Sequence, residues 1–180
     1  MRKTKEEIMD TIFKDIYSNW KSDIPELADA FEEVQFTKGE QLTNNWGDLY
    51  LLTEGMMGKY DKTCPVRYVL SGEPLLIPNS RHNFQFRAAS DTKAYVIIRQ
   101  ALHAINQSNS KFFEFYTYLI DKQQQHIDYR QQLLSTPNFD KYEFVLKKYP
   151  YIRTLIKHKE LALFMGVSVE YLRQLYRNGF

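Results

Sequence analysis

The sequence predicts an α+β chain. It should have a helical start, a small antiparallel β-barrel or sandwich, one long helix and a carboxy-terminal helix-turn-helix. Three observations carry that prediction. Between Val34 and Ile98, short apolar runs alternate with turn residues, the texture of an all-β unit with strands every ~8–12 residues. From Ser110 to Leu134, apolar residues recur at three- and four-residue steps with no Gly or Pro. From His158 to Arg177, small and apolar residues stand where two short helices joined by a tight turn need them.

The elements follow in order. Ile8, Ile12, Ile16 and Trp20 recur at four-residue steps, and Leu27, Ala28 and Phe31 follow Pro25, so residues 6–31 read as helical. The β unit then takes short strands near Val34–Thr37, Leu49–Leu52, Gly58–Tyr60, Val66–Leu70, Phe84–Arg87 and Ala94–Ile98. Five of the seven glycines fall inside it, at positions where turns favour residues free to adopt positive φ.

The long helix carries two interleaved heptad stripes. One runs Phe113, Tyr116, Ile120, Gln123, Ile127, Arg130, Leu134; the other runs Phe112, Phe115, Leu119, Lys122, His126, Tyr129, Leu133. Packing on the β unit needs only one stripe. The second is expected to meet the same helix of another copy, giving a homodimer. Pro137 ends the long helix. A second helix is expected near Phe139–Tyr149, stopped by Pro150, and a short third one near Tyr151–Ile156.

Composition excludes several classes. At 43% hydrophobic and 26% charged the chain is of ordinary globular type. Mean hydropathy is −0.51, and no apolar run approaches the ~20 residues of a membrane span, so no membrane association is expected. The charged start, Met-Arg-Lys-Thr-Lys-Glu-Glu, has no apolar core behind it, and a cytoplasmic location is expected. Cys64 is the only cysteine, which rules out an intrachain disulfide and fits a reducing compartment. The four histidines are scattered, and no phosphate loop or nucleophile elbow is visible, so neither a metal site nor an enzyme is expected.

Charge distribution is more informative than the net +2. Residues 136–180 hold eight basic and four acidic side chains, net +4, while the other 135 residues are net −2. A basic end on a slightly acidic body points to an anionic partner such as nucleic acid. The end also has the helix-turn-helix pattern. Counting His158 as the first of twenty positions, Leu161 and Ala162 are fourth and fifth, Gly166 ninth, and Leu172 and Leu175 fifteenth and eighteenth. Ala162 is small where the second helix approaches. Gly166 suits the left-handed end of the first helix, and Ser168 can cap the next. Ser168, Val169, Glu170, Tyr171, Arg173, Gln174 and Arg177 are left for an outward face that can enter a major groove. Lys157, Lys159 and Arg177 are placed for phosphates.

The order of these parts resembles the Crp/Fnr family of transcription regulators. Family-like stretches are Phe36-Thr-Lys-Gly-Glu40, Tyr50-Leu-Leu-Thr-Glu-Gly55, Ser71-Gly72-Glu73, Arg87-Ala88-Ala89-Ser90 and Tyr149-Pro150. The likeness covers roughly residues 30–180 and is to the short Bacteroidetes-type form; because the chain stops at Phe180, no β-wing is expected. The resemblance implies a cupin-like, cyclic-nucleotide-binding-like β-roll with flanking helices, a long dimerisation helix and a DNA-binding helix-turn-helix. The corresponding parts are residues 1–109, 110–135 and 136–180. It implies double-stranded DNA, a second copy of the chain and RNA polymerase as partners.

The resemblance also assigns ligand residues. In nucleotide-binding members a Gly-Glu step opens the phosphate cassette, and an Arg and a Ser or Thr follow. Here Glu73 takes the Glu position, while His82 and Asn83 fall on the other two and Arg81 lies one residue early. An imidazole cannot imitate the planar guanidinium fork, and Pro74 lacks an N–H where donors should converge. Cyclic AMP or GMP bound in the usual way is therefore not expected, and no cofactor is. A different small-molecule effector at Glu73, Arg81, His82 and Asn83 and a purely structural roll both stay open. The rival to a DNA-binding regulator is a ligand-binding or protein-interaction module whose helix-turn-helix no longer reads DNA.

Overall fold

The computed structural model describes residues 4–42, 46–78 and 83–177. Three short helices open the chain: α1 (Lys5–Phe13), α2 (Trp20–Asp23) and α3 (Glu26–Ala30). Thr4 caps α1 through a reciprocal capping box with Glu7. The expected helical stretch 6–31 is thus broken, and the reason is visible. Trp20 Nε1 donates to Asp10 at 3.1 Å and Lys21 Nζ reaches the same carboxylate at 2.6 Å. A straight helix would separate residues 10 and 20 by about 15 Å. The chain must fold back to make these bonds, and Pro25 sits at the head of α3.

Seven strands follow: β1 (Glu32–Phe36), β2 (Leu49–Glu54), β3 (Met56–Asp61), β4 (Cys64–Leu70), β5 (Pro74–Leu76), β6 (Phe84–Ala88) and β7 (Thr92–Ile97). They form two antiparallel sheets, ordered β1-β7-β2-β5 and β4-β3-β6. Between the sheets lie Tyr50, Leu52, Ala94 and Val96 from one side and Met57, Val69, Phe86 and Ala88 from the other.

Both outer faces are also covered. Leu49, Leu51, Leu76 and Ile97 on the first sheet pack under the amino-terminal helices, α4 (Arg99–Ser108) and the first half of α5 (Lys111–Ser135). Met56, Tyr60 and Tyr68 on the second sheet pack under the carboxy-terminal helices. Burial on two faces explains why Leu49–Leu52 is an unbroken apolar run rather than an alternating one. Strand β5 and helix α4 were not foreseen from the sequence. Pro74 disguises the strand, and α4 turns only Leu102 and Ile105 fully inward.

The two stripes of α5 separate as expected. Phe112, Phe115, Leu119 and Leu133 are buried against the body, whereas Phe113, Ile120, Ile127 and Leu134 are 46–70% exposed. The companions of the outer stripe need correcting. Tyr116 is half-buried, Gln123 Nε2 donates to Leu76 O at 2.7 Å, and Arg130 donates to Phe164 O, so all three turn inward. Thr117, Gln124 and Gln131 are exposed instead, and with the four apolar residues they form an outer seam of alternating four- and three-residue steps. The chain ends in α6 (Lys141–Lys148), α7 (Ile152–Leu155), α8 (His158–Met165) and α9 (Val169–Arg177). No described helix is long and apolar enough to cross a membrane.

Candidate nucleic-acid interface

Helices α8 and α9 form the expected helix-turn-helix, and the turn is built from local constraints. Gly166 has φ +68°, in the left-handed region. The Gly166 N–H donates to Leu163 O at 3.2 Å and the Val167 N–H to Ala162 O at 3.0 Å, the paired bonds of a Schellman end. A Cβ on Gly166 would also lie 3.0 Å from Leu134 Cδ2, so the turn sits tightly against the end of α5. Ser168 Oγ accepts the Tyr171 N–H at 3.0 Å and caps α9. Leu172 and Leu175 are buried with Leu161, Ala162 and Met165. That burial fixes which side of α9 faces out.

The outward face holds Ser168, Glu170, Arg173, Gln174 and Arg177, all exposed. Arg173 and Glu170 lie 3.8 Å apart, one turn from each other, and both are well over half exposed. Such a pair is weak in water and can reopen to meet base edges. Val169 and Tyr171 depart from the sequence reading: both are half-buried against the carboxy-terminal core, and only part of each can reach a partner. Lys157 is the residue before α8 and Lys159 is in its first turn; both are exposed. They also edge a cleft of about 910 Å³ between the helix-turn-helix and the roll, together with Lys38, Arg87 and Glu160.

The helix-turn-helix is held on the roll by a polar node that the sequence did not reveal. Glu160 of α8 accepts from the Tyr68 hydroxyl at 2.9 Å and, through the same oxygen, from the Tyr60 hydroxyl. Arg87 lies 3.8 Å away, its guanidinium over the Tyr60 ring. Tyr149 donates to Tyr68 O at 3.1 Å, and Lys38 Nζ donates to Leu155 O at 3.1 Å. Burial raises the pKa of both Tyr60 and Tyr68, so each keeps its proton and remains a donor.

Of the ligand residues implied by resemblance, Arg81 and His82 lie outside the described residues. Asn83 is exposed just before β6. Glu73 Oε2 accepts the Leu70 N–H at 3.0 Å, closing its own turn between β4 and β5. Among the described residues, no group of three or more His, Cys, Asp or Glu is placed to hold a metal ion.

No protein-family profile matches the chain, and no curated protein matches it in sequence. Solved structures do match. FixK2 from Bradyrhizobium japonicum is 12% identical with a TM-score of 0.71, the match covering 82% of this chain and 83% of that one. A protein described as a transcriptional regulator of the Crp/Fnr family, from Eubacterium rectale, is 14% identical with a TM-score of 0.67, over 91% and 87%. The c-di-GMP-responsive global regulator CLP of Xanthomonas campestris is 15% identical with a TM-score of 0.63, over 88% and 92%. At such identities the likeness is one of fold, and it spans most of the chain. The chain has the Crp/Fnr-type fold.

Proposed function

We propose that the chain is a transcription regulator of the Crp/Fnr type, a homodimer through α5 that reads duplex DNA with α9. The observation that carries the reading is the sidedness of α9. Its apolar side is locked inward by Leu172 and Leu175, and Glu170, Arg173, Gln174 and Arg177 are exposed on the other side at one end of a basic segment. Gln174 can pair with adenine, Glu170 can accept from the cytosine amino group, and Arg173 can donate to guanine. A dimer through the outer seam of α5 would set two reading heads on a near-palindromic site, about 34 Å apart. The β-roll is the sensing part.

Selection from random duplexes tests this. The expected result is an enriched palindrome whose binding falls steeply with salt. Gln174→Ala should cost about 1–3 kcal/mol on that sequence and relax one or two positions. Lys157→Ala should weaken all sequences alike and lower the salt slope by about one. No enriched sequence, with Gln174→Ala silent, refutes the regulator and leaves an interaction module.

A further inference from the structure

A pocket of about 240 Å³ opens where α4 meets the start of α5, apart from the reading face. Helix α4 buries Leu102 and Ile105, which leaves Arg99, His103 and Asn106 exposed at steps of four and three along its outer side. All three line the pocket. Its other wall is aromatic and comes from α5: Phe112, Phe113 and Tyr116. The Phe112 and Tyr116 rings stand 6.1 Å apart, one helical turn from each other, and tilt by 34°. Leu102 adds apolar surface from the α4 side.

The walls are held in place by bonds outside the pocket. Asn109, between the two helices, donates through Nδ2 to Asp23 O at 2.7 Å and to Glu26 Oε1 at 3.0 Å, and its Oδ1 accepts the Lys111 N–H at 3.0 Å. The start of α4 is fixed as well, because the Arg99 N–H donates to Asp48 Oδ1 at 2.8 Å. Leu102 and Phe112 are buried at their bases. The pocket is therefore formed before any ligand arrives. Its polar groups, in contrast, are idle. The Arg99 guanidinium, the His103 ring, the Asn106 amide and the Tyr116 hydroxyl make no hydrogen bond or ion pair with any described residue. No acidic side chain lines the pocket among the described residues.

An aromatic wall facing a guanidinium that lacks an anion sets the ligand chemistry. A cavity of roughly 150 Å³ takes one benzene ring, so 240 Å³ takes one ring with a small substituent. Rings pack on rings edge-on or offset, and a guanidinium takes both oxygens of a carboxylate through its planar fork. We infer that this pocket binds a small aromatic monocarboxylate, its ring against Phe112, Phe113 and Tyr116 and its carboxylate on Arg99, with His103 and Asn106 as further donors. The site draws only on the α4–α5 corner and shares no residue with the Gly-Glu cassette that the family resemblance assigns to a nucleotide. Phe113 is both a wall of the pocket and the first member of the outer seam, so in a homodimer the ligand would lie beside the second copy; this consequence, unlike the binding, rests on the homodimer reading.

Benzoate and its neutral analogue benzamide are the probes, titrated into the isotope-labelled full chain without DNA and followed by amide chemical shifts. The expected result is saturable shifts centred on Leu102, His103, Phe112 and Tyr116. Benzoate should half-saturate below about 10 mM, the weak limit for a ligand of roughly nine heavy atoms. Benzamide should bind about tenfold more weakly or worse, the worth of one charge-assisted hydrogen bond. Arg99→Gln changes an exposed side chain and leaves the backbone bond to Asp48 in place, so the fold should persist and benzoate should fall to the level of benzamide. Phe113→Ala, at a position 70% exposed, should weaken both probes. Equal affinity for the two probes, benzoate binding unchanged in Arg99→Gln, shifts centred elsewhere or no saturation each overturn the inference. Benzoate binding by Ile127→Arg but not by the parent would show that a second copy fills the pocket, and overturns it equally. A chain that binds benzoate yet shows no DNA preference would refute the regulator while leaving the site standing.

Discussion

Replacing Glu160 by Ala should cut the helix-turn-helix loose from the roll. Tyr68 is fully buried and Tyr60 is 2% exposed, and both hydroxyls end on one oxygen of a carboxylate whose side chain is 20% exposed. A hydrogen bond to a charged acceptor contributes about 1.5–3 kcal/mol, and the stranded hydroxyls keep their desolvation cost. Two such bonds give roughly 3–6 kcal/mol. Arg87, 39% exposed and 3.8 Å away, adds under ~1 kcal/mol. Glu160→Gln keeps an acceptor and loses only the charge, so about 1–2 kcal/mol is expected. The assay is urea unfolding followed by two probes. Both tryptophans, Trp20 and Trp46, lie in the amino-terminal part, so their fluorescence reports the roll and its helices. Far-ultraviolet dichroism reports α6 to α9 as well. The two curves should coincide in the parent chain. In Glu160→Ala the dichroism should fall first. Coincident curves within 0.5 kcal/mol of the parent (an estimate of the usual scatter for surface changes) would refute the view that this node joins the two parts.

Two further outcomes follow from α5. Ile127→Arg sets a charge in the middle of the outer seam, where Ile120 and Ile127 are about half exposed, and should yield monomers in sedimentation; a parent chain monomeric at roughly tens of micromolar would refute the seam. His126 predicts acid sensitivity. Its folded pKa of about 2 lies below the ordinary 6.5, so only the unfolded chain takes up a proton between those values. Its contribution is therefore fully present above pH 6.5 and is lost as pH falls, by about 1.4 kcal/mol per unit at the steepest. His126→Gln keeps an acceptor for Lys148 and should flatten stability between about pH 6 and 4.5; parallel curves for the two proteins would count against a half-buried neutral imidazole.

What could be read from the sequence follows the reach of each constraint. Gly166, Ala162 and Ser168 obey rules that act within a few residues: a left-handed turn, close helix contact and a capping hydroxyl. The helix-turn-helix was therefore legible. The apolar members of the α5 seam were legible too, but their companions were not. Two different three-and-four alternations pass through Phe113, Ile120, Ile127 and Leu134. Which one faces out is decided by carbonyls on other elements, Leu76 O for Gln123 and Phe164 O for Arg130. Glu160 finds its tyrosines 92 and 100 residues away, so no local pattern could announce the node. Glu73 shows a local role that the resemblance does not name. A Gly-Glu step suits a ligand cassette by resemblance, and the carboxylate also closes the turn between β4 and β5, on the Leu70 N–H three residues back.

The placement of α8 explains how a fold of this kind can couple its parts. The helix is gripped at two points about one turn apart. Glu160 is held by Tyr60 and Tyr68 on the second sheet, and Phe164 O is held by Arg130 of α5, with Leu134 packed against Gly166 just beyond. One grip belongs to the roll and the other to the helix that carries the outer seam. Residues 160 and 164 are separated by about 6 Å along the helix axis. A displacement of about 1 Å of one grip relative to the other therefore tilts α8 by roughly 10°. Helix α9 must follow, because Leu172 and Leu175 are locked against α8 in a shared core. If the chain works as the proposed regulator, a small motion between the roll and the long helix would rotate the exposed face of α9 without any change inside the helix-turn-helix itself.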